Sequence, residues 1–187
     1  PPAAAAPSRP ATTLEYDGTG YEGWQLQPRG ETLQGVIEAR LLRILGAPHR
    51  LHAAGRTDAG VHAIGVCAAF NLENPIPVDN LRRAMNKLLP PEIRILDVSE
   101  RPENFHPRFG AIAKTYEYRI WREEICPPFI HRYVLHHPFP LDEAAMCNAA
   151  ARFVDEHDFT AFASTDESDA TSKSKVRHIF ESRMWRT

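Results

Sequence analysis

The residues best placed by type and spacing to do chemistry lie between Ala54 and Ala63, reading A-G-R-T-D-A-G-V-H-A. One carboxylate, Asp58, stands there between Arg56 and His62. A carboxylate kept ionised by a neighbouring guanidinium can act as a nucleophile or a general base. Thr57-Asp-Ala-Gly60 is also a turn sequence, in which Asp accepts a hydrogen bond from its own downstream backbone N–H. Taken alone the decapeptide allows both, and the rest of the chain has to decide.

The elements that must position this loop read as two strands, 49–53 before it and 64–70 after it, with Gly55 and Gly60 open to positive φ. A first strand is expected at 13–16, after a Pro- and Ala-rich stretch, 1–12, that reads as a disordered lead-in. The 17–25 stretch, with Tyr21 and Trp24, reads as an aromatic loop suited to ligand contact. Thr32 is an N-cap and Gly46 a stop for a helix whose apolar positions are Leu33, Val36, Ile37, Leu41, Ile44 and Leu45. A second amphipathic helix is expected over 78–89, ended by Pro90-Pro91, then a strand over 93–98. The longest strand is expected over 109–121, with Tyr116, Tyr118 and Ile120 on one side. Further on come a short strand at 133–136, a third helix over 141–154 buried through Leu141, Ala145, Cys147 or Asn148, Ala151 and Phe153 or Val154, and an aromatic loop at 158–162. A polar, mobile stretch is expected at 165–174, and a last strand from Val176 lacks an evident partner.

This order gives an α/β fold of the α+β type, with helices on one face of a mostly antiparallel sheet. The half spanning 13–104 carries the loop, and 105–187 starts an equivalent unit without completing it. At 187 residues and 43% hydrophobic content the chain can bury a real core. No apolar run approaches the ~20 residues needed to span a bilayer. Cys67, Cys126 and Cys147 are widely spaced and odd in number, which argues for a reducing compartment and against a structural zinc site. Of the nine histidines, His49-x-x-His52 and the pair His136-His137 fall on strand-like stretches with no cysteine or carboxylate at ligand spacing, so no metal is expected. Net charge is -2, yet Arg101, Arg108, Lys114, Arg119 and Arg122 crowd one segment, and Lys173, Lys175, Arg177, Arg183 and Arg186 another. As neighbouring strands these would form a basic face able to neutralise phosphates.

Several separated motifs agree on one family. Leu14-Glu-Tyr-Asp-Gly18, Gly23-Trp-Gln25, Thr32-Leu-Gln-Gly35, Ala54-Gly-Arg-Thr-Asp-Ala-Gly-Val-His62, Phe105-His-Pro-Arg-Phe109, Lys114-Thr-Tyr-Glu-Tyr118 and Asp158-Phe-Thr-Ala-Phe162 resemble, in order, the tRNA pseudouridine synthases of the TruA family. With that context the turn-only reading of Asp58 recedes. The resemblance implies a pseudouridine-synthase fold and an isomerase that converts uridine to pseudouridine at positions 38 to 40 of the tRNA anticodon stem-loop. It implies no cofactor and no metal, a homodimer, and a basic cleft holding tRNA.

Residue by residue, the resemblance makes Asp58 the catalytic aspartate, buried and paired with arginine, acting by attack on C1′ or C6 or by removing a ribose proton. Arg56 holds Asp58 or fills the gap left by the departing base, and Tyr116 lies over the uracil. His62 is a substrate contact or a backbone tether, while Arg108 and Lys114 contact phosphate or pair with an acid. Pro107 and Gly110 depart from the family pattern. Family members continue past the point matching Thr187, so a missing C-terminal strand and an exposed apolar face are expected. The compartment expected is cytoplasmic, with an organellar location as the alternative if the Pro/Ala-rich start is a transit-peptide remnant. The competing function is a tRNA-binding protein that keeps the fold without catalysis.

Overall fold

Strand β1 (Arg9–Tyr16) turns Thr12, Leu14 and Tyr16 inward, and a computed structural model of the protein, describing residues 9–72, 76–163 and 174–186, builds its main sheet around that strand. Thr32 caps α1 (Leu33–Leu45) by accepting the Gly35 N–H, and Gly46 ends it at φ 74°, where a residue without Cβ is favoured. The loop at the centre of interest joins β2 (His52–Ala53) to β3 (Ala63–Ala69). Next come α2 (Val78–Leu88) and β4 (Ile93–Arg101). The sheet order is β2-β3-β1-β4, every pairing antiparallel. Leu33, Ile37 and Leu41 of α1 and Leu81 and Met85 of α2 share one core with Leu14, Phe70, Ile93 and Ile95. Burial of these side chains, worth about 1.5–3 kcal/mol each, supplies the rigid base of the loop.

β1 starts earlier than composition suggests. Residues 9–12, expected in the disordered lead-in, pair with β4, and Ala11 and Thr12 pair with β3 as well, while 1–8 lie outside the described residues. The reason is packing of small side chains: Ala11 and Thr12 are buried, and the Thr12 hydroxyl donates to the Ala68 carbonyl at 3.1 Å. Residues 17–25 are corrected too, since Trp24 is 2% and Tyr21 8% exposed, inside the core.

The expected long strand at 109–121 is not formed. Only β5 (Ile120–Trp121) is a strand, paired with β6 (Leu135–His136). The rest of the segment has strand-forming residues, but among the described residues its backbone meets other backbone only at its ends, where the Gly110 N–H donates to the His106 carbonyl and the Arg119 carbonyl accepts the Leu135 N–H. Ile112 and Tyr118 consequently stand more than nine-tenths exposed.

The chain separates into two units, one running to Ile120 and including Cys126–Leu135, the other formed by Trp121–Ile125 and the chain from His136. The first therefore extends through 105–120, past the expected division at 104. In the second unit, α3 (Glu143–Ala151) is capped by Asp142, whose carboxylate accepts the Ala145 N–H at 2.9 Å. No α3 residue is buried, contrary to the expected apolar face. β7 (Asp155–Asp158) pairs antiparallel with β8 (Val176–Ile179), so the last strand does have a partner. The polar stretch at 165–174 lies, except for Ser174, outside the described residues.

Candidate active site

The 54–62 loop is fixed by the polypeptide just beyond β1. The Trp24 N–H donates to the Thr57 carbonyl at 2.9 Å, and the Gly60 N–H donates to the Tyr21 carbonyl at 3.2 Å. The Tyr16 and Thr57 hydroxyls share a 2.9 Å hydrogen bond. Burial raises the Tyr16 pKa above its ordinary value, against the opposing effect of Thr57, so this bond is held by a neutral phenol. Gly23 has φ 83°, and a Cβ there would fall 2.7 Å from the Thr57 carbonyl oxygen. At Gly18 a Cβ would meet the Val61 carbonyl oxygen at 2.0 Å. The two backbones thus approach more closely than side chains permit. Tyr21 and Trp24, expected in a ligand-contact loop, support the 54–62 loop from the core, and Trp24 with Gln25 also lines the groove beside it.

Asp58 lies between these anchors. Its main-chain carbonyl accepts the Val61 N–H at 3.2 Å, closing a turn. Among the described residues its carboxylate accepts no hydrogen bond and joins no ion pair, so the turn forms without the Asp side-chain cap that its sequence also allowed. The expected burial and the pairing with Arg56 are both corrected: Asp58 and Arg56 are exposed, and no ion pair joins them. Pinning of Thr57 and Gly60 from below explains this, because it leaves the turn's side chains directed away from the core. Gly60 takes the expected positive φ, 76°, whereas Gly55 does not.

Beside the loop is a groove of about 480 Å³. Arg50, Arg56, Arg108 and Lys114 line it, and none of the four joins an ion pair among the described residues. Lys114 crosses Gly55, where a Cβ would sit 3.5 Å from its ammonium nitrogen. One wall rests on buried Gln34, whose Nε2 donates to Glu38 at 2.7 Å and to the Leu51 carbonyl at 3.3 Å. Its Oε1 accepts from Gln25 Nε2 and the Leu26 N–H. His52 and His106 also line the groove, with ring centroids 5.7 Å apart. Burial, and then the positive charges of Arg9, His106 and Arg50, lower the His52 pKa. A groove with that field favours an anion.

The structure thus gathers three of the expected site residues, Arg56, Arg108 and Lys114, and adds Arg50, His52 and His106, which the sequence reading passed over. Asp58, Tyr116 and His62 do not line the groove. Tyr116 is 72% exposed, outside any strand, which corrects its expected place on the longest strand. At the loop exit His62 Nδ1 lies 3.2 Å from the Gly18 N–H donor and its Nε2 is 2.9 Å from the Arg132 carbonyl. Of the two basic segments expected as strands, the part at 109–119 forms no strand, and β8 in the other pairs with β7. Within these segments, Arg119 pairs with Glu117 at 2.6 Å, Arg122 with Glu143 at 3.0 Å, and Arg183 with Glu181 at 3.1 Å. Among the described residues no three His, Cys, Asp or Glu side chains converge on a metal-sized site, and no helix is long and apolar enough to cross a membrane.

Residues 13–110 match the family model described as tRNA pseudouridine synthase. The chain is 57% identical to the tRNA pseudouridine synthase A of Solibacter usitatus over 174 residues, covering 93% of this chain and 72% of that one. It is 43% identical to tRNA pseudouridine synthase A 1 of Desulfotalea psychrophila, over 91% of this chain and 69% of the relative. Identity is also 43% to tRNA pseudouridine synthase A of Caldicellulosiruptor saccharolyticus, over 90% and 68% respectively.

Proposed function

Since the chain belongs to the tRNA pseudouridine synthase family, we propose that Asp58 carries that family's reaction here, the isomerisation of uridine to pseudouridine in tRNA. The reaction breaks the bond between uracil N1 and ribose C1′, turns the base, and joins C5 to C1′. The hydrogen on C5 leaves as a proton and N1 gains one, so product and substrate have the same composition.

The observation that supports Asp58 most is a carboxylate with no hydrogen bond among the described residues, on a turn whose backbone is fixed on both sides, two residues from a cationic groove wall. An exposed carboxylate on a fixed turn is available to engage the sugar or the base. Arg50, Arg56, Arg108 and Lys114 neutralise phosphates of the bound strand, and Arg56 fills the space a flipped uridine leaves. Flipping costs a few kcal/mol, which the pocket must return. Tyr116, exposed in the free protein, covers the uracil ring once tRNA is bound. The targets implied are uridines 38 to 40 of the anticodon stem-loop.

The homodimer belongs to the same proposal, supported by the exposed Phe109, Ile112 and Tyr118, and light scattering on the purified chain tests it. So does a reducing, cytoplasmic setting, which suits the free thiols Cys67, Cys126 and Cys147. The enzymatic reading is tested by tritium release from tRNA carrying 5-tritiated uridine. Release by the chain and none by Asp58→Asn, with tRNA still bound by both, is the expected result. Binding without release by either protein would favour the non-catalytic tRNA binder.

A further inference from the structure

Asp17, His62 and Tyr133 form a cluster that the reaction described above leaves without a task. Asp17 follows β1, His62 ends the Asp58 loop, and Tyr133 closes a short 3-10 turn at His131–Tyr133, so three distant stretches of one unit meet there. The Tyr133 hydroxyl donates to Asp17 Oδ2 at 2.9 Å. Asp17 Oδ1 accepts the Thr19 N–H at 2.9 Å and the Thr19 hydroxyl at 2.6 Å, and lies 3.1 Å from His62 Nδ1. The His62 and Tyr133 rings pack with centroids 4.9 Å apart. His62 Nε2 donates to the Arg132 carbonyl at 2.9 Å.

From this arrangement we propose that Asp17, His62 and Tyr133 are positioning residues for Asp58, a clamp that fixes the exit of the catalytic turn. The proposal rests on Asp58 carrying the reaction. The mechanical link is short. Val61, bonded through its N–H to the Asp58 carbonyl, directly precedes His62, and its own carbonyl faces Gly18 with no room for a side chain between them. A shift of His62 therefore moves the turn that carries Asp58, and a small displacement of a reacting group costs rate more than binding.

The clamp also closes in two ways at one atom. With Nε2 donating to Arg132, a neutral ring presents Nδ1 as acceptor to the Gly18 N–H, and a charged ring presents Nδ1–H as donor to Asp17.

The test is single-turnover pseudouridine formation and tRNA affinity for His62→Ala, His62→Asn, His62→Gln and Tyr133→Phe, each checked by thermal melting. Asparagine keeps an acceptor near Gly18, glutamine a donor near Arg132, and phenylalanine removes only the hydroxyl aimed at Asp17. The expected result is a rate reduced about tenfold or more in His62→Ala and a few-fold in Tyr133→Phe, partly restored in His62→Asn, with tRNA affinity within about twofold throughout. Unchanged rates in folded His62→Ala would overturn the clamp, and so would a loss confined to affinity, which would make His62 a tRNA contact. If His62→Ala does not fold, Tyr133→Phe and His62→Asn decide by the same criteria. Asp58→Asn is run in parallel: activity retained there overturns the assignment of Asp58, whereas an inactive Asp58→Asn beside fully active clamp variants overturns the clamp alone.

Discussion

A single carboxylate in this molecule can be followed from sequence to pH dependence. Partial burial would raise the Asp17 pKa, but hydrogen bonds from the Thr19 hydroxyl and N–H and from the Tyr133 hydroxyl, with His62 adjacent, bring it from 3.8 to about 2. A carboxylate with a depressed native pKa stabilises the fold above its unfolded value, and that contribution disappears as pH falls through the native one. Asp17 therefore stabilises the chain fully above about pH 4, and the contribution is lost between about pH 4 and pH 2. In acid unfolding, Asp17→Asn is expected to be less stable at neutral pH and to flatten that part of the profile. An unchanged slope would contradict the assignment. The D-x-T spacing at Asp17 and Thr19 signals this turn in the sequence, but Tyr133 lies 116 residues away, and no local pattern announces the pairing.

At the scale of elements, the parts legible in sequence were those whose signals are local. Helix α1 begins after Thr32 and stops at Gly46 because a hydroxyl and a missing Cβ act on their own backbone neighbours. The 109–121 stretch was misread because alternation and β propensity describe a strand only when another strand supplies hydrogen bonds. Trp24 was misread for a related reason: a tryptophan among polar residues and glycines looks like a binding loop until the chain folds back over it. The support that Trp24 and its neighbours give the Asp58 loop can be measured. Gly23→Ala places a methyl 2.7 Å from the Thr57 carbonyl at φ 83°, and a loss of about 1–3 kcal/mol in urea unfolding is expected, with pseudouridine formation reduced alongside. Gly55→Ala, whose Cβ would find only the flexible end of Lys114 at 3.5 Å, should change stability little. Equal losses in both variants would show that close backbone approach is not what fixes the loop.

For the whole molecule, net charge of -2 conceals how its charges are used. Arg119, Arg122 and Arg183 are spent on carboxylates, whereas Arg50, Arg56, Arg108 and Lys114 converge on one groove without an ion pair among the described residues. Composition reported the basic residues but not this division, which depends on which strands become neighbours. Each phosphate neutralised contributes roughly 0.7–0.9 to the slope of log affinity against log salt. Arg108→Ala is expected to reduce that slope for tRNA by about one such contribution, while Arg183→Ala leaves it unchanged. Reversed effects would place the tRNA elsewhere. The central claim, that Asp58 carries the isomerisation, is met most directly by mapping pseudouridine along an unmodified tRNA transcript after incubation with the chain or with Asp58→Asn, using carbodiimide adducts that stop reverse transcription. Stops at uridines within positions 38 to 40 for the chain, and none for Asp58→Asn, are the predicted result; the same stops with Asp58→Asn would contradict it.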